Sequence, residues 1–219
     1  MYRLVCMLLV ACASCGCTVT KPGPVASVSP APAAPEPAPT PDPAWRQAIA
    51  PHDNARLDGL ASDWARLHGR LRAATRSAQG PLLDPGAGLA NAELPPGSYR
   101  CRTLHLRGGP RGASVQATPP GFCFVSGEDG SLGFSKQTGT DIAAGYFYPD
   151  GNRYVFLGAR QRRPGENSYA YGADPARDLV GVAERFANFR WRLAVPGRRA
   201  GEVDVYELTP VPAEQQPAS

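Results

Sequence analysis

The chain has only three histidines, His52, His68 and His105. They are too far apart to form an H-E-x-x-H motif or any adjacent pair on one helical turn, so motif-borne zinc hydrolysis is excluded. There is no G-x-S-x-G elbow, no Walker loop and no G-x-G-x-x-G after a strand pattern. No metal or cofactor is therefore expected. Lysine is nearly absent: only Lys21 and Lys136 stand among 23 basic residues. Aromatics make up 8% of the chain. The longest apolar run, Leu4 to Ala13, falls short of the roughly 20 residues that cross a bilayer as a helix. Composition also excludes a coiled coil and a collagen-like chain.

What is present is unevenly spread. Met1-Tyr2-Arg3 opens with one positive charge, an apolar core follows, and small residues come next, which is the plan of an export signal over 1–17. Cysteines crowd this segment at Cys6, Cys12, Cys15 and Cys17. Small residues directly before a Cys resemble the lipobox of bacterial lipoproteins, in which that Cys becomes the acylated N-terminus. Cys17, after Ser14-Cys15-Gly16, suits the length of the apolar core. Cys12, after Leu9-Val10-Ala11, suits the lipobox letters. Cys17 is the favoured lipid anchor. An ordinary cleaved signal is the alternative, giving a soluble periplasmic or secreted protein.

Residues 18–44 form a Pro/Ala-rich linker, with nine of the 24 prolines between Lys21 and Ala44. Each Pro fixes φ and removes an N–H, which leaves disorder or polyproline II as the expectation. Extended, the 24 residues from Lys21 to Ala44 could span roughly 75 Å at ~3.1 Å each, enough to hold a domain off a membrane.

The folded domain is expected over 45–213, with a disordered tail at 214–219. Leu57, Leu60, Trp64, Leu67 and Leu71 recur at helical spacing, and Pro51 and Asp53 suit a helix start. The reading is one amphipathic helix over roughly 51–78. After Pro96, short runs rich in Tyr, Phe, Val and Leu alternate with Gly, Pro, Asn and Asp. They are 98–106, 122–126, 131–136, 142–148, 153–159, 168–171, 179–186, 189–195 and 203–209. Pro149-Asp150-Gly151-Asn152 is a hairpin signal, and Ala187-Asn188 another. The fold class is α+β: an N-terminal amphipathic helix, then an antiparallel, lipocalin-like up-and-down barrel of about eight strands. The Gly-rich run 127–133 lacks the spaced oxygen ligands of a calcium loop and reads as a tight turn.

Cys101 and Cys123 are the only cysteines of this domain, and in an oxidising compartment they should form a disulfide. The densest polar element runs from Asp174, Arg177 and Asp178 to Glu184, Arg190 and Arg192. It reads either as a binding cluster at a barrel mouth or as a turn plus a cross-strand ion pair that sets register. Asp174 can cap backbone N–H groups there. His105 reads as a surface or half-buried strand histidine. Between Trp45 and Ala213 there are 21 basic and 16 acidic residues. Arg153, Arg160, Arg162 and Arg163 form a basic run whose envelope partners would be anionic lipid, lipopolysaccharide or peptidoglycan, not nucleic acid.

The combination of Trp45-Arg46, Leu82-Leu83-Asp84-Pro85, Pro96-Gly97-x-Tyr99-Arg100-Cys101-Arg102, Tyr171-Gly172-x-Asp174-Pro175-x-Arg177-Asp178 and Arg190-Trp191-Arg192-Leu193 resembles an uncharacterised bacterial family, a domain of unknown function. The resemblance covers about Trp45 to Pro210. It implies an exported protein of a Gram-negative envelope and carries no catalytic residue. The architecture is also similar to small lipocalin-like barrels of periplasmic metalloprotease inhibitors, although here a helix stands where those have an inhibitory segment.

The expected function is a non-enzymatic envelope lipoprotein, held to a membrane by its lipid, whose barrel binds an envelope protein or a small apolar ligand. A protease-inhibitor-like barrel is one alternative. A hydrolase using Asp174, Asp178 or Glu184 is another. A hollow barrel would favour a small apolar ligand. A barrel filled by side chains such as Tyr146, Phe156 and Trp191 would favour a structural or partner-binding module.

Overall fold

Nine antiparallel strands follow the helical region in a computed structural model of the chain, which describes residues 43–128, 131–163, 166 and 170–215. The signal with Cys6, Cys12, Cys15 and Cys17, and the Pro/Ala-rich stretch as far as residue 42, lie outside the described residues.

The helical region is α1 (Ala44–Ala48), α2 (Pro51–Gly69), α3 (Ala73–Gln79) and a 3₁₀ turn at Gly80–Leu82. Pro51 stands at the first position of α2, where its missing N–H costs nothing. The expected single helix over 51–78 is in fact two. It stops after Gly69, and Arg72 is extended at φ −63°, ψ 145°. Gly is a poor helix former, and the freed carbonyls of Gly69 and Leu71 accept from the Arg76 guanidinium. The break lets Leu71 stay buried in the stripe while the chain turns back. Arg70 also ties the helix end to the sheet: its Nη2 donates to Gly109 O at 2.6 Å, and its carbonyl accepts from Ala113 N at 3.1 Å.

The strands are β1 (Gly97–Gly109), β2 (Gly112–Ala117), β3 (Gly121–Glu128), β4 (Ser131–Lys136), β5 (Ala143–Asp150), β6 (Arg153–Arg160), β7 (Asp178–Ala187), β8 (Arg190–Pro196) and β9 (Val203–Pro210). From β3 to β9 each pairs with the next, and β9 returns to β1 from Tyr99↔Pro210 to Leu106↔Val203. Eight strands, β1 and β3 to β9, thus close a barrel, and the fold class is α+β as expected. Closure removes unpaired edges from these eight strands, and β2, paired with β1 alone, keeps the one open edge among the described strands.

β2 is outside the expected strands, because Gly-Ala-Ser has little strand propensity. It forms since β1 is 13 residues long and outruns β3. β1 pairs with β3 over Gly97–Cys101 and with β2 over Leu104–Gly109. Pro119 and Pro120, which cannot donate to a ladder, separate β2 from β3. Thr118 bridges the gap: its Oγ1 accepts from Thr103 N and its N donates to Thr103 O, both at 2.9 Å.

The expected strand at 168–171 is not formed at its described end, where Ala170 and Tyr171 lie in a loop and turn. Residues 167–169 are outside the described ones. The β7–β8 turn is Asn188-Phe189, one residue later than expected. Phe189 has φ 53° and is 75% exposed. A left-handed backbone on a bulky residue stores strain.

Alternation along the strands sorts two cores. One fills the barrel: Tyr99, Phe134, Phe147, Phe156, Trp191 and Tyr206, with the Cys101–Cys123 disulfide among them. The rings pack edge-on or tilted at centroid distances of 5.4–6.3 Å. The interior is full enough that Gly145 and Gly158 oppose each other beside Phe156. A Cβ on Gly158 would stand 2.3 Å from Ala144 O and 2.5 Å from the ring. Tyr146, expected as a filler, is on the other face and 55% exposed. The second core lies outside the barrel wall, where the α2 stripe covers β7, β8, β9 and β1. The Leu83–Leu94 loop crosses one barrel end, and Trp191 Nε1 donates to Glu93 O at 3.0 Å.

Candidate functional site

The residues singled out as a binding cluster do not gather in one place. Asp174, Arg177 and Asp178 shape the turn into β7. Asp174 Oδ1 accepts from Ala176 N at 3.2 Å, and Asp178 Oδ1 from Gly172 N at 3.0 Å. Arg177 donates to Arg160 O and pairs with Glu166 at 3.0 Å. Burial raises the Asp178 carboxyl above its usual range.

Glu184 lies six residues along β7, about 20 Å away at ~3.4 Å per residue. The register sets it opposite Arg192, and the two pair at 3.2 Å. Arg190 turns instead to Glu207, which also holds Arg102. Arg192 is fully buried. Its Nη1 donates to the carbonyls of Pro81, Leu82 and Asp84 at 2.7, 3.0 and 2.7 Å, and its guanidinium lies 4.5 Å from the Trp64 ring centre. Trp64 Nε1 in turn donates to Leu83 O at 3.0 Å. This group clamps α2 and the following loop to the barrel wall.

The expected basic run is also divided. Arg153 pairs with Asp150 at the β5–β6 hairpin, at the far end of β6 from Arg160. Arg160 and Arg162 stand at the opposite end of the barrel, the mouth. There the loop after β4 wraps around Lys136, whose ammonium donates to Thr138 O and Thr140 O. Burial pushes Lys136 below its usual range. The wrap presents Asp141 to His105. His105 Nδ1 meets Asp204 at 2.8 Å and its Nε2 meets Asp141 at 3.2 Å. Hydrogen bonds to Asp141 and Asp204 raise His105 to about 9, so it is a cation at neutral pH. Burial works to raise Asp204, but His105 and Arg107 hold it below the usual carboxylate range.

On the flank that α2 does not cover, none of the described residues lining the surface cavity makes an ion pair. Phe122 and Phe124 on β3, and Tyr146 and Tyr148 on β5, point outward. Gly133 and Ser135 of β4 lie between them. Phe124 on one side and Tyr146 and Tyr148 on the other wall a trough of about 540 Å³ over this floor of small residues, while Phe122 lies beside it with the Arg100 guanidinium 5.9 Å from its ring centre. No lining residue is charged. Phe122, Phe124 and Tyr146 are 46%, 39% and 55% exposed. At the trough's edge Tyr171 Oη donates to the buried Asp53 at 2.8 Å and accepts from Ala50 N at 3.0 Å. Burial raises Tyr171 to about 12.

This face was not singled out from the sequence. The signal was there: Phe122-Cys123-Phe124-Val125 is apolar at both parities, so both faces of β3 are apolar. One helical stripe can cover only one flank of an eight-strand barrel. Among the described residues no group of three or more His, Cys, Asp or Glu is placed to hold a metal ion.

A family model for a domain of unknown function, DUF4893, matches residues 45–208. No curated protein and no solved structure matches the chain.

Proposed function

From the premise that the chain belongs to the DUF4893 family, whose function is unknown, we propose that it is a non-catalytic binding domain of a lipid-anchored envelope protein, and that the trough over β3–β5 takes an uncharged, apolar segment of a protein partner. The observation that carries the reading is the exposed aromatic face around the trough. Monomeric domains rarely leave large aromatic side chains clustered in water without a partner for them. The packed interior supports a protein partner over a small apolar ligand, because aromatic side chains fill the barrel where such a ligand would sit. The roles of Asp174, Asp178 and Glu184 support a non-catalytic reading, since each carboxylate serves a turn or an ion pair.

Photocrosslinking in the native host tests the trough. A photoreactive phenylalanine analogue at position 146 is expected to give a discrete protein adduct. The same analogue at Arg199, in the exposed β8–β9 turn, is expected to give none. Ser135→Arg, which places a long charged side chain on the trough floor, should abolish the adduct. No adduct from 146, or one that survives Ser135→Arg, overturns the proposal. The anchor has its own test. Labelled palmitate should enter the protein, and a Cys12→Ser/Cys17→Ser variant should take up none. An unlabelled wild type would refute lipidation.

A further inference from the structure

We infer that the barrel mouth holds a binding site for a phosphate-type oxyanion, built by Arg160, Arg162 and Arg198. The three line a cavity of about 250 Å³ together with the Gly139–Ile142 loop. They come from the end of β6, the loop after it, and the turn between β8 and β9, so no run of sequence shows them together. The site is separate from the trough and does not rest on it.

The charges around the cavity differ in how tightly they are already paired. The acids nearest the cavity already hold cations. Asp141 and Asp204 both face His105, and Arg107 adds a 2.6 Å contact to Asp204. Glu202 is held by Arg107 at 3.2 Å, and Glu166 by Arg177 at 3.0 Å. Arg160 is the most loosely held of these cations. Its nearest carboxylate oxygen is Asp204 Oδ2, 3.7 Å from Nη2, and its Nη1 is buried with no hydrogen-bond partner among the described residues. The Arg160 side chain lines the cavity, so an anion seated there would meet a guanidinium whose own carboxylate partner stands at a long 3.7 Å.

Arg162 and Arg198 are exposed and flank the same cavity. The charged side chains that line it are three guanidiniums, Arg160, Arg162 and Arg198, against one carboxylate, Asp141, which already faces His105. Cations are therefore in excess along its wall. A guanidinium fork meets two oxygens of a phosphate at once, so several of them select this geometry over a halide. The ligand chemistry is shared by free phosphate and by the phosphate of a lipid headgroup.

The test uses the full chain with two probes. Calorimetric titration with inorganic phosphate, against chloride at equal ionic strength, reads the free anion. Flotation with vesicles of phosphatidic acid in phosphatidylcholine, against phosphatidylcholine alone, reads the headgroup. Arg160→Gln is expected to weaken the binding that is seen by about tenfold, one lost charge-assisted contact. The Arg162→Gln/Arg198→Gln double variant, whose altered side chains are exposed, should do the same without disturbing the fold. Arg153→Gln, at the other barrel end, should bind within about twofold of the wild type. Phosphate binding lost in the arginine variants identifies the free anion. Headgroup-selective flotation lost in those variants, with no phosphate binding, identifies the lipid. Binding to neither probe, or binding unchanged in both mouth variants, overturns the site.

Discussion

Arg192→Ala is expected to lower stability by about 3–5 kcal/mol, the range for breaking a buried charged cluster on one side. For a domain of this size that is a fall in melting temperature of about 10 °C. Three effects combine. The carbonyls of Pro81, Leu82 and Asp84 lose their shared donor, Glu184 loses its cation, and Trp64 loses the plane stacked on it. Arg192→Lys keeps the charge but not the fork, so it cannot serve Glu184 and the carbonyls together, and an intermediate loss is expected. Glu184→Gln should cost least, because that side chain is partly exposed and can still accept. Urea unfolding of the three variants checks the order. A cost below about 1 kcal/mol for Arg192→Ala would refute the clamp.

Removal of the Cys101–Cys123 disulfide is expected to cost about 3 kcal/mol, from the freedom regained by a loop of 22 residues. Its position sharpens the expectation. The bridge sits where β1 changes partner from β3 to β2, beside the Pro119-Pro120 interruption. Without it, the β2 segment should exchange its amide hydrogens sooner than β5 to β8. The Cys101→Ser/Cys123→Ser variant, compared with the wild type by denaturant unfolding and hydrogen exchange, provides the measurement. Equal stability with and without the bridge would remove it as a structural staple.

Both predictions rest on features that differ in how openly the sequence displayed them. The disulfide was legible, because Cys101 and Cys123 are the only cysteines after the linker. The Glu184–Arg192 pair was legible as one of two options, and the register chose Arg192 over Arg190. The three carbonyls on Arg192 were not legible. They come from a turn 108 to 111 residues earlier, and backbone carbonyls leave no mark in composition. The helix break at Gly69 was missed because Leu71 kept the stripe's spacing while its backbone left the helix.

The sequence by itself determined the elements. Its 3–4 spacing specified the α2 stripe, its alternating runs specified eight of the nine strands, and its Gly and Asn pairs specified the hairpins. Those are local properties, set by how consecutive side chains alternate around one backbone. The tertiary structure decided what each face meets. Alternation states that Phe122 and Phe124 share a face, but not that α2 lies on the opposite flank and leaves that face bare. In the same way, Arg198 joined Arg160 only through barrel closure, which brings together residues 38 positions apart, while β6 carried Arg153 to the far end from a neighbour only seven residues away. Distance along a strand separates what sequence places side by side, and closure of the sheet joins what sequence holds apart.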